Sequence, residues 1–134
     1  MASTLEKAKY APASAALFPT PDAASAGVEQ ALRMLEGRWK LVILFHLFDG
    51  KVLRFSELER AIPGVSQKML IQQLRQLEMG GIVTRTIYPQ VPPKVEYRLT
   101  PWGQSLCPAL DALLIWAASR PEMPDADGSE HEPG

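Results

Sequence analysis

The chain has few of the residues from which reactive, metal-binding or cross-linked sites are made. Cys107 is its single cysteine and it has two histidines, so an internal disulfide is excluded and no metal-ligand spacing is found. No nucleophile with a neighbouring base, glycine-rich phosphate loop or paired-acid motif occurs, which argues against an enzyme and against a cofactor. The segment from Trp39 to Phe48 is apolar except for Lys40 and His46, but it has only about ten residues, whereas a bilayer span needs ~20. We therefore expect a cytoplasmic chain with no membrane partner.

Net charge is also low, but the charges are unevenly placed. The formal net charge is −1, yet residues 51–98 carry eight Lys or Arg and four Glu. Residues 121–134 carry five acids and no Lys or Arg. The middle of the chain is thus a modest basic island, which is compatible with contact to a nucleic acid.

The length and composition indicate one globular domain. An apolar fraction of 46% in 134 residues is enough for a hydrophobic core, and we place the domain at residues 25–120. Residues 1–24 are rich in Ala and Pro, and we predict a mobile N-terminal arm. Residues 121–134 combine prolines with acids, and we predict a disordered acidic tail.

One predicted helix, residues 66–79, separates apolar from polar side chains. Leu70, Leu74 and Leu77 recur at helical spacing and form an inner stripe. Ser66 is placed to cap the helix. The outer face carries long amide and cationic side chains and no acid before Glu78, and such side chains form paired hydrogen bonds with base edges in the major groove. A solvated helix face is the alternative for this helix taken alone. The outer residues that we expect to contact bases are Gln67, Lys68, Gln72 and Arg75.

The flanking segments favour a helix-turn-helix with a wing. Upstream, Ser56 and Glu59 have capping-box spacing, and Pro63-Gly64-Val65 forms a turn. Downstream, Gly80-Gly81 ends the helix. Two β-branched and aromatic runs follow, 82–88 and 95–100, and residues 51–55 are a possible third strand. The predicted fold class is therefore mainly α with a small antiparallel β-hairpin (α+β), a winged helix-turn-helix.

These segments together resemble a known family. The chain contains Gly37-Arg-Trp-Lys40, Leu53-Arg-Phe-Ser-Glu-Leu58, Ile62-Pro-Gly-Val-Ser-Gln-Lys-Met-Leu70, Leu74-Arg-Gln-Leu-Glu78 and Tyr88-Pro-Gln-Val-Pro-Pro-Lys-Val-Glu-Tyr-Arg-Leu-Thr100. In this order they resemble the HxlR-type bacterial transcriptional regulators, from about Ser25 to Arg120. The resemblance implies a dimeric winged helix that binds operator DNA.

The resemblance also bears on the input signal. Many members sense oxidants or electrophiles through one cysteine just before the first helix, and Ser25 occupies that position here. A serine hydroxyl forms no disulfide, so this site cannot act as a thiol sensor. The departure concerns the signal and not the binding of double-stranded DNA.

Further contacts with the DNA backbone are expected from the basic island. Arg54 and Ser56 precede or open a helix whose start favours phosphate, and Arg98 could alternatively pair with a neighbouring strand. Outward Arg and Lys on hairpins are often only solvated. The full set of expected backbone and wing residues is Lys40, Arg54, Ser56, Ser66, Gln76, Arg85, Lys94 and Arg98.

The last helix has more apolar surface than a small domain needs. Thr100 caps it with Pro101 in its first turn. Together with a first helix at 28–35, it predicts a two-fold homodimer interface. The interface residues that we expect are Val28, Leu32, Leu106, Leu110, Leu113, Leu114 and Trp116.

Two other uses of the same fold stay open. A small-molecule-binding module would place Trp39, Phe45, Trp102 and Trp116 around a pocket, and such an effector could also regulate the DNA-binding protein. A winged helix used only for protein contacts would show no salt-dependent DNA affinity. His46 is expected in the core or the dimer interface. Cys107 is expected to be a buried small apolar residue.

Overall fold

The structure is a computed structural model, and it describes residues 12–122. It begins with a 3₁₀ turn at Ala13–Ala16. The elements that follow are α1 (Pro21–Leu35), α2 (Lys40–His46), β1 (Leu53–Arg54), α3 (Phe55–Ala61), α4 (Gln67–Met79), β2 (Val83–Tyr88), β3 (Lys94–Leu99), α5 (Pro101–Gln104) and α6 (Cys107–Ala118).

Helix α1 begins seven residues before the predicted start at residue 28. The Thr20 hydroxyl accepts the N–H of Ala23 at 3.1 Å, and Pro21 occupies the first turn. This local start signal outweighs the Ala/Pro-rich composition that predicted an arm over 1–24, so residues 21–24 of that stretch are helical. Residues 1–11 of the predicted arm and 123–134 of the predicted tail lie outside the described residues.

The two helices of the helix-turn-helix start with different caps. The Ser66 hydroxyl accepts the Met69 N–H at 3.1 Å, as predicted for α4. The predicted Ser56–Glu59 capping box is wrong, because the Glu57 carboxylate accepts the N–H of Arg54 at 2.7 Å instead. Arg54 is held in β1, so α3 starts directly at the end of the strand, one residue before Ser56.

The wing is an antiparallel sheet with strand order β1-β3-β2. In its register Val83 pairs with Leu99 and Arg85 with Tyr97, while Leu53 pairs with Tyr97 from the other side. Since side chains alternate along a strand, Val83, Tyr97 and Leu99 lie on one face, and all three are buried. The predicted third strand is therefore present, two residues long.

The core joins α2 and the helix-turn-helix to the sheet. Its fully buried side chains include Ile43 and Leu44 from α2 and Leu47 just after it. Those from α3, α4 and β2 are Leu58, Leu70, Leu74, Leu77 and Val83. The predicted fold class, mainly α with a small antiparallel sheet in a winged helix-turn-helix, is confirmed. Within residues 12–122, no helix is long and apolar enough to cross a membrane.

The predicted final helix is broken into two. The Thr100 hydroxyl caps α5 by accepting the Gly103 N–H at 2.9 Å, and the helix ends at Gln104. Pro108 lacks the N–H that would continue the helix back to Gln104, and it lies in the first turn of α6 instead.

Candidate nucleic-acid interface

The outer face of α4 is a continuous polar surface. Gln67, Lys68, Gln72, Arg75 and Gln76 are all exposed, and together with Ile71 they line one shallow surface hollow. The opposite face holds the buried leucines of the core. The predicted division of this helix into an apolar inner and a polar outer face is therefore confirmed, and none of the side chains lining the hollow is acidic.

A second hollow lies between α4 and the wing. It is lined by Phe55, Gln67, Ile71, Arg75, Glu78, Arg85, Val95 and Tyr97. Within it, Nε of Arg85 lies 3.6 Å from Oε2 of Glu78, so an ion pair ties the wing to the end of α4. Helix and wing thus present a joined surface, on which Arg75 of α4 and Arg85 of β2 line the same hollow as Glu78.

Tyr97 lies at the floor of this second hollow. Burial raises the pKa of its phenol, because the charged form is desolvated; the nearby Arg85 and Arg75 oppose that shift, and Glu78 adds to it. The phenol is therefore neutral at physiological pH and keeps its proton for hydrogen bonding.

The residues predicted to contact the DNA backbone divide into exposed and buried groups. Arg54 and Ser56 are exposed at the start of α3, and Ser66 is exposed with its hydroxyl already engaged as a cap. Lys40 is only 7% exposed, so its predicted backbone contact is wrong. Its side chain follows Gly37 toward α4, with Cδ and Cε within 3.4 Å of where a Cβ at Gly37 would lie. The packing of α2 against α4 thus removes this lysine from the surface.

The wing cations have different local partners. Nζ of Lys94 lies 3.7 Å from Oε2 of Glu96 and 4.6 Å from the ring centroid of Tyr88. Arg98 is exposed, and among the described residues it forms no ion pair. The possible pairing of Arg98 with a neighbouring strand is therefore not adopted, since Glu96 is taken by Lys94.

Several residues of this surface were not predicted from the sequence, and they include Ile71 and Glu78 as well as Phe55, Val95 and Tyr97. Ile71 lines both hollows, and Glu78 lies inside the second one. A helical projection places Ile71 about 40° from both Gln67 and Arg75, so its position was available from spacing alone. The role of Glu78 depends on the docking of the wing, which spacing does not give.

The residues predicted at a dimer interface are also divided. Val28 and Leu32 of α1 and Leu113, Leu114 and Trp116 of α6 are exposed, Trp116 by 74%. Leu110 is buried in the core and Leu106 packs against it, so these two residues belong to the domain interior. The reason is that the first turns of α6 rest on the domain while its second half extends beyond it. Ile115, also exposed, was not predicted.

The remaining candidates show no reactive chemistry. The Cys107 thiol is partly buried and donates to Oε1 of Gln104 at 3.4 Å, and burial raises its pKa, with Asp49 adding to the shift. His46 is half-buried in α2. No group of three or more His, Cys, Asp or Glu in the described part of the chain could hold a metal ion.

The predicted aromatic pocket is not formed as proposed. A cavity of about 180 Å³ lies between α1, α5 and α6, and Trp102 is the only one of the four predicted aromatics that lines it. Trp39 packs against the core, and Trp116 projects from the last helix. Aromatics spaced along different helices therefore did not converge.

Comparison with known proteins places this surface in context. A family described as HxlR-like helix-turn-helix matches residues 34–124. The HTH-type transcriptional regulator YtcD of Bacillus subtilis (strain 168) is 53% identical over 92 residues, which cover 69% of this chain and 72% of that protein. The reduced form of the redox regulator HypR is similar, at 42% identity and TM-score 0.65, covering 78% of this chain and 97% of that one.

The reduced form of the transcriptional regulator YodB from B. subtilis is also similar, with 36% identity and TM-score 0.62 over 86% of this chain and 97% of that one. These relatives are regulators and not enzymes. The chain belongs to the HxlR-like helix-turn-helix family of DNA-binding transcriptional regulators.

Proposed function

We propose that this regulator binds an inverted-repeat operator as a homodimer and represses transcription from it. Helix α4 of each subunit would enter the major groove, and each wing would lie on flanking DNA. The observation that carries the proposal is the outer face of α4, where five long amide or cationic side chains are exposed without an acid among them.

The side chains of α4 define the expected contacts with bases. Lys68 and Arg75 suit guanine, whose O6 and N7 accept hydrogen bonds, and Gln67 and Gln72 suit adenine. Backbone contacts are then expected from residues at the margin of that face and from the wing. These residues are Arg54, Ser56, Ser66, Gln76, Arg85, Lys94 and Arg98.

The dimer is supported by apolar surface that the single chain leaves exposed. Val28 and Leu32 lie one helical turn apart on α1, and Leu113, Leu114 and Trp116 lie on the outer half of α6. A two-fold interface through these helices would set two copies of α4 one turn of DNA, ~34 Å, apart. Trp116→Glu should therefore shift the sedimentation coefficient to that of a monomer. The matched change Met79→Glu, at an apolar residue 85% exposed on α4, should leave the dimer intact.

DNA binding is tested by selecting fragments from the protein's own genome and footprinting them. We expect a protected inverted repeat, with log affinity against log salt falling at a slope of about −5 to −9 for roughly three to five phosphates per subunit. Arg75→Ala should relax sequence discrimination, and Arg85→Ala should weaken binding to all sequences about equally. A protected region without two-fold symmetry would contradict the proposal.

Repression needs a separate measurement. Transcription in vitro from a promoter that contains the selected operator should fall as protein is added, and it should recover when the operator is scrambled. An increase in transcript would identify an activator and contradict repression.

A small-molecule effector is the second role that a specific observation favours. The cavity between α1, α5 and α6 has a mainly apolar lining that includes Met34, Leu35, Ile82, Trp102 and Leu106. An apolar cavity of about this volume can accept a molecule of benzene's size. Such ligands should quench tryptophan fluorescence saturably, and the effect should be lost in Trp102→Phe. Quenching that never saturates would rule out this cavity as the effector site.

A further inference from the structure

Ile71 is an apolar side chain in the middle of the polar face of α4. Gln67 precedes it by one turn and Arg75 follows it by one turn, so all three lie along one stripe. Ile71 lines both the hollow on the outer face of α4 and the hollow between α4 and the wing. It is half-buried, so part of its surface remains open to whatever occupies them.

The fold itself does not account for this residue. The hydrophobic core and the partly buried apolar residues packed against it do not include Ile71. The core positions of the same helix are filled by Leu70, Leu74 and Leu77 on the other side. Ile71 shares the second hollow with Phe55 and Val95, and the part of its side chain that they leave exposed is directed outward.

The major groove offers one feature that an aliphatic side chain can recognise. Adenine, guanine and cytosine present hydrogen-bonding groups at their edges there, whereas thymine also presents its C5-methyl group. The amide and cationic neighbours of Ile71 can satisfy those polar edges. A branched aliphatic group between them is complementary to a methyl group and to no other part of the groove floor.

We propose that Ile71 is a specificity-determining residue that contacts the C5-methyl group of a thymine in each operator half-site. This inference rests on the proposed insertion of α4 into the major groove. It adds to that proposal a base at a defined place, between the bases contacted by Gln67 and Arg75. An operator with cytosine or uracil at this position lacks the methyl group and loses the contact.

The test removes only the methyl group. In the operator selected with the wild-type protein, each thymine is replaced by deoxyuridine, at symmetric positions in both half-sites. Kd is measured for the wild type, for Ile71→Ala and for Ile71→Thr, which keeps the β-branch of the side chain. Met79→Ala is the control, because Met79 is an exposed apolar residue on the same helix but lines neither hollow. Melting temperatures of all variants verify folding.

One symmetric thymine should prove sensitive. Its replacement should weaken wild-type binding by about fourfold per half-site, or about fifteenfold for the pair. Ile71→Ala should bind the two DNAs equally, and Met79→Ala should respond like the wild type. Ile71→Thr, which keeps one methyl group, should show an intermediate response. Coupling of this kind assigns the contact to Ile71.

Two different results would overturn the assignment. In the first, replacing thymine by deoxyuridine has no effect at any position, or it weakens binding of Ile71→Ala and Ile71→Thr as much as it weakens binding of the wild type. Ile71 then does not contact the methyl group, although the protein still binds its operator. If the wild type selects no DNA at all, the proposed function itself fails and this inference fails with it.

Discussion

Glu78 places a negative charge in the hollow that would face DNA, and its removal should strengthen binding. Its Oε2 lies 3.6 Å from Nε of Arg85, and the two side chains are 34% and 42% exposed. The carboxylate therefore pairs with Arg85, which could otherwise bind a DNA phosphate, and it also repels phosphates itself. Glu78→Gln keeps the size and the hydrogen-bonding oxygen of the side chain and removes only the charge.

The size of the effect follows from elementary electrostatics. A carboxylate about 8 Å from a phosphate in water is repelled by about 0.5 kcal/mol, so two subunits give about 1 kcal/mol, or about fivefold in Kd. Each released Arg85 can neutralise one more phosphate, which steepens the salt slope by roughly 0.9 per subunit. The loss of an exposed ion pair should cost ~0–1 kcal/mol of folding stability. The gain applies to every DNA sequence, because phosphates carry no sequence information.

Fluorescence anisotropy measures Kd and its dependence on salt. It is recorded with the operator and with a scrambled duplex over a series of salt concentrations. Glu122→Gln is the matched control, because it makes the same charge change at an exposed residue beyond the end of α6. We expect tighter binding and a steeper slope for Glu78→Gln on both duplexes, and little change for Glu122→Gln. Weaker binding, or an unchanged slope, would show that the ion pair holds the wing in its binding position, and the reasoning would be refuted.

Three further predictions concern stability and thiol chemistry. In Gly103→Ala the new Cβ would overlap the backbone carbonyl of Ile82, which should cost about 3 kcal/mol and lower Tm by roughly 10–20 °C. In Gly80→Ala the new Cβ has no contact nearer than 3.4 Å, so Tm should stay the same or rise. Equal Tm values for the two variants would contradict this prediction. Burial raises the pKa of Tyr97 above its ordinary value of about 10, so the folded state favours the neutral phenol. The stability of the wild type should therefore fall as pH rises from about 10 through the pKa of the folded state. Urea midpoints measured over this pH range should fall less in Tyr97→Phe. Because burial also raises the pKa of the Cys107 thiol, alkylation by iodoacetamide near neutral pH should be slower in the native than in the urea-unfolded chain, and equal rates would indicate an accessible thiolate.

The parts of the fold that were predicted correctly are those with local signals. The leucine spacing of α4, its Ser66 cap and the alternation along β3 each act within a few residues, so the sequence contains them in full. The misplaced start of α3 has a non-local cause. Arg54 is held by pairing with Glu96 in β3, about forty residues away, and that pairing makes Glu57 the capping carboxylate.

The site residues also divide into those that local spacing predicts and those whose exposure depends on tertiary packing. Whether a lysine such as Lys40 reaches solvent depends on the helix packed over it, and a count of basic residues cannot reveal that packing. Leu110 and Leu113 are one turn apart on α6, yet Leu110 is 6% exposed and Leu113 is 51% exposed. Sequence spacing identified both as apolar helix positions. Which of them is buried depends on the point where α6 leaves the domain, and spacing does not show that point.

The structure also indicates how a change at the proposed dimer interface could reach helix α4. Met34 lines the cavity between α1, α5 and α6, and its Cε lies 3.7 Å from the position that a Cβ at Gly80 would occupy, at the C-terminal end of α4. Helix α1, which carries the exposed Val28 and Leu32, therefore passes close to the end of α4. In the proposed dimer on DNA, we expect a shift of α1 relative to its partner to move the end of α4, and a tilt of a helix in the major groove alters every base contact along it. Such coupling requires no cysteine at the position of Ser25, which is exposed on α1.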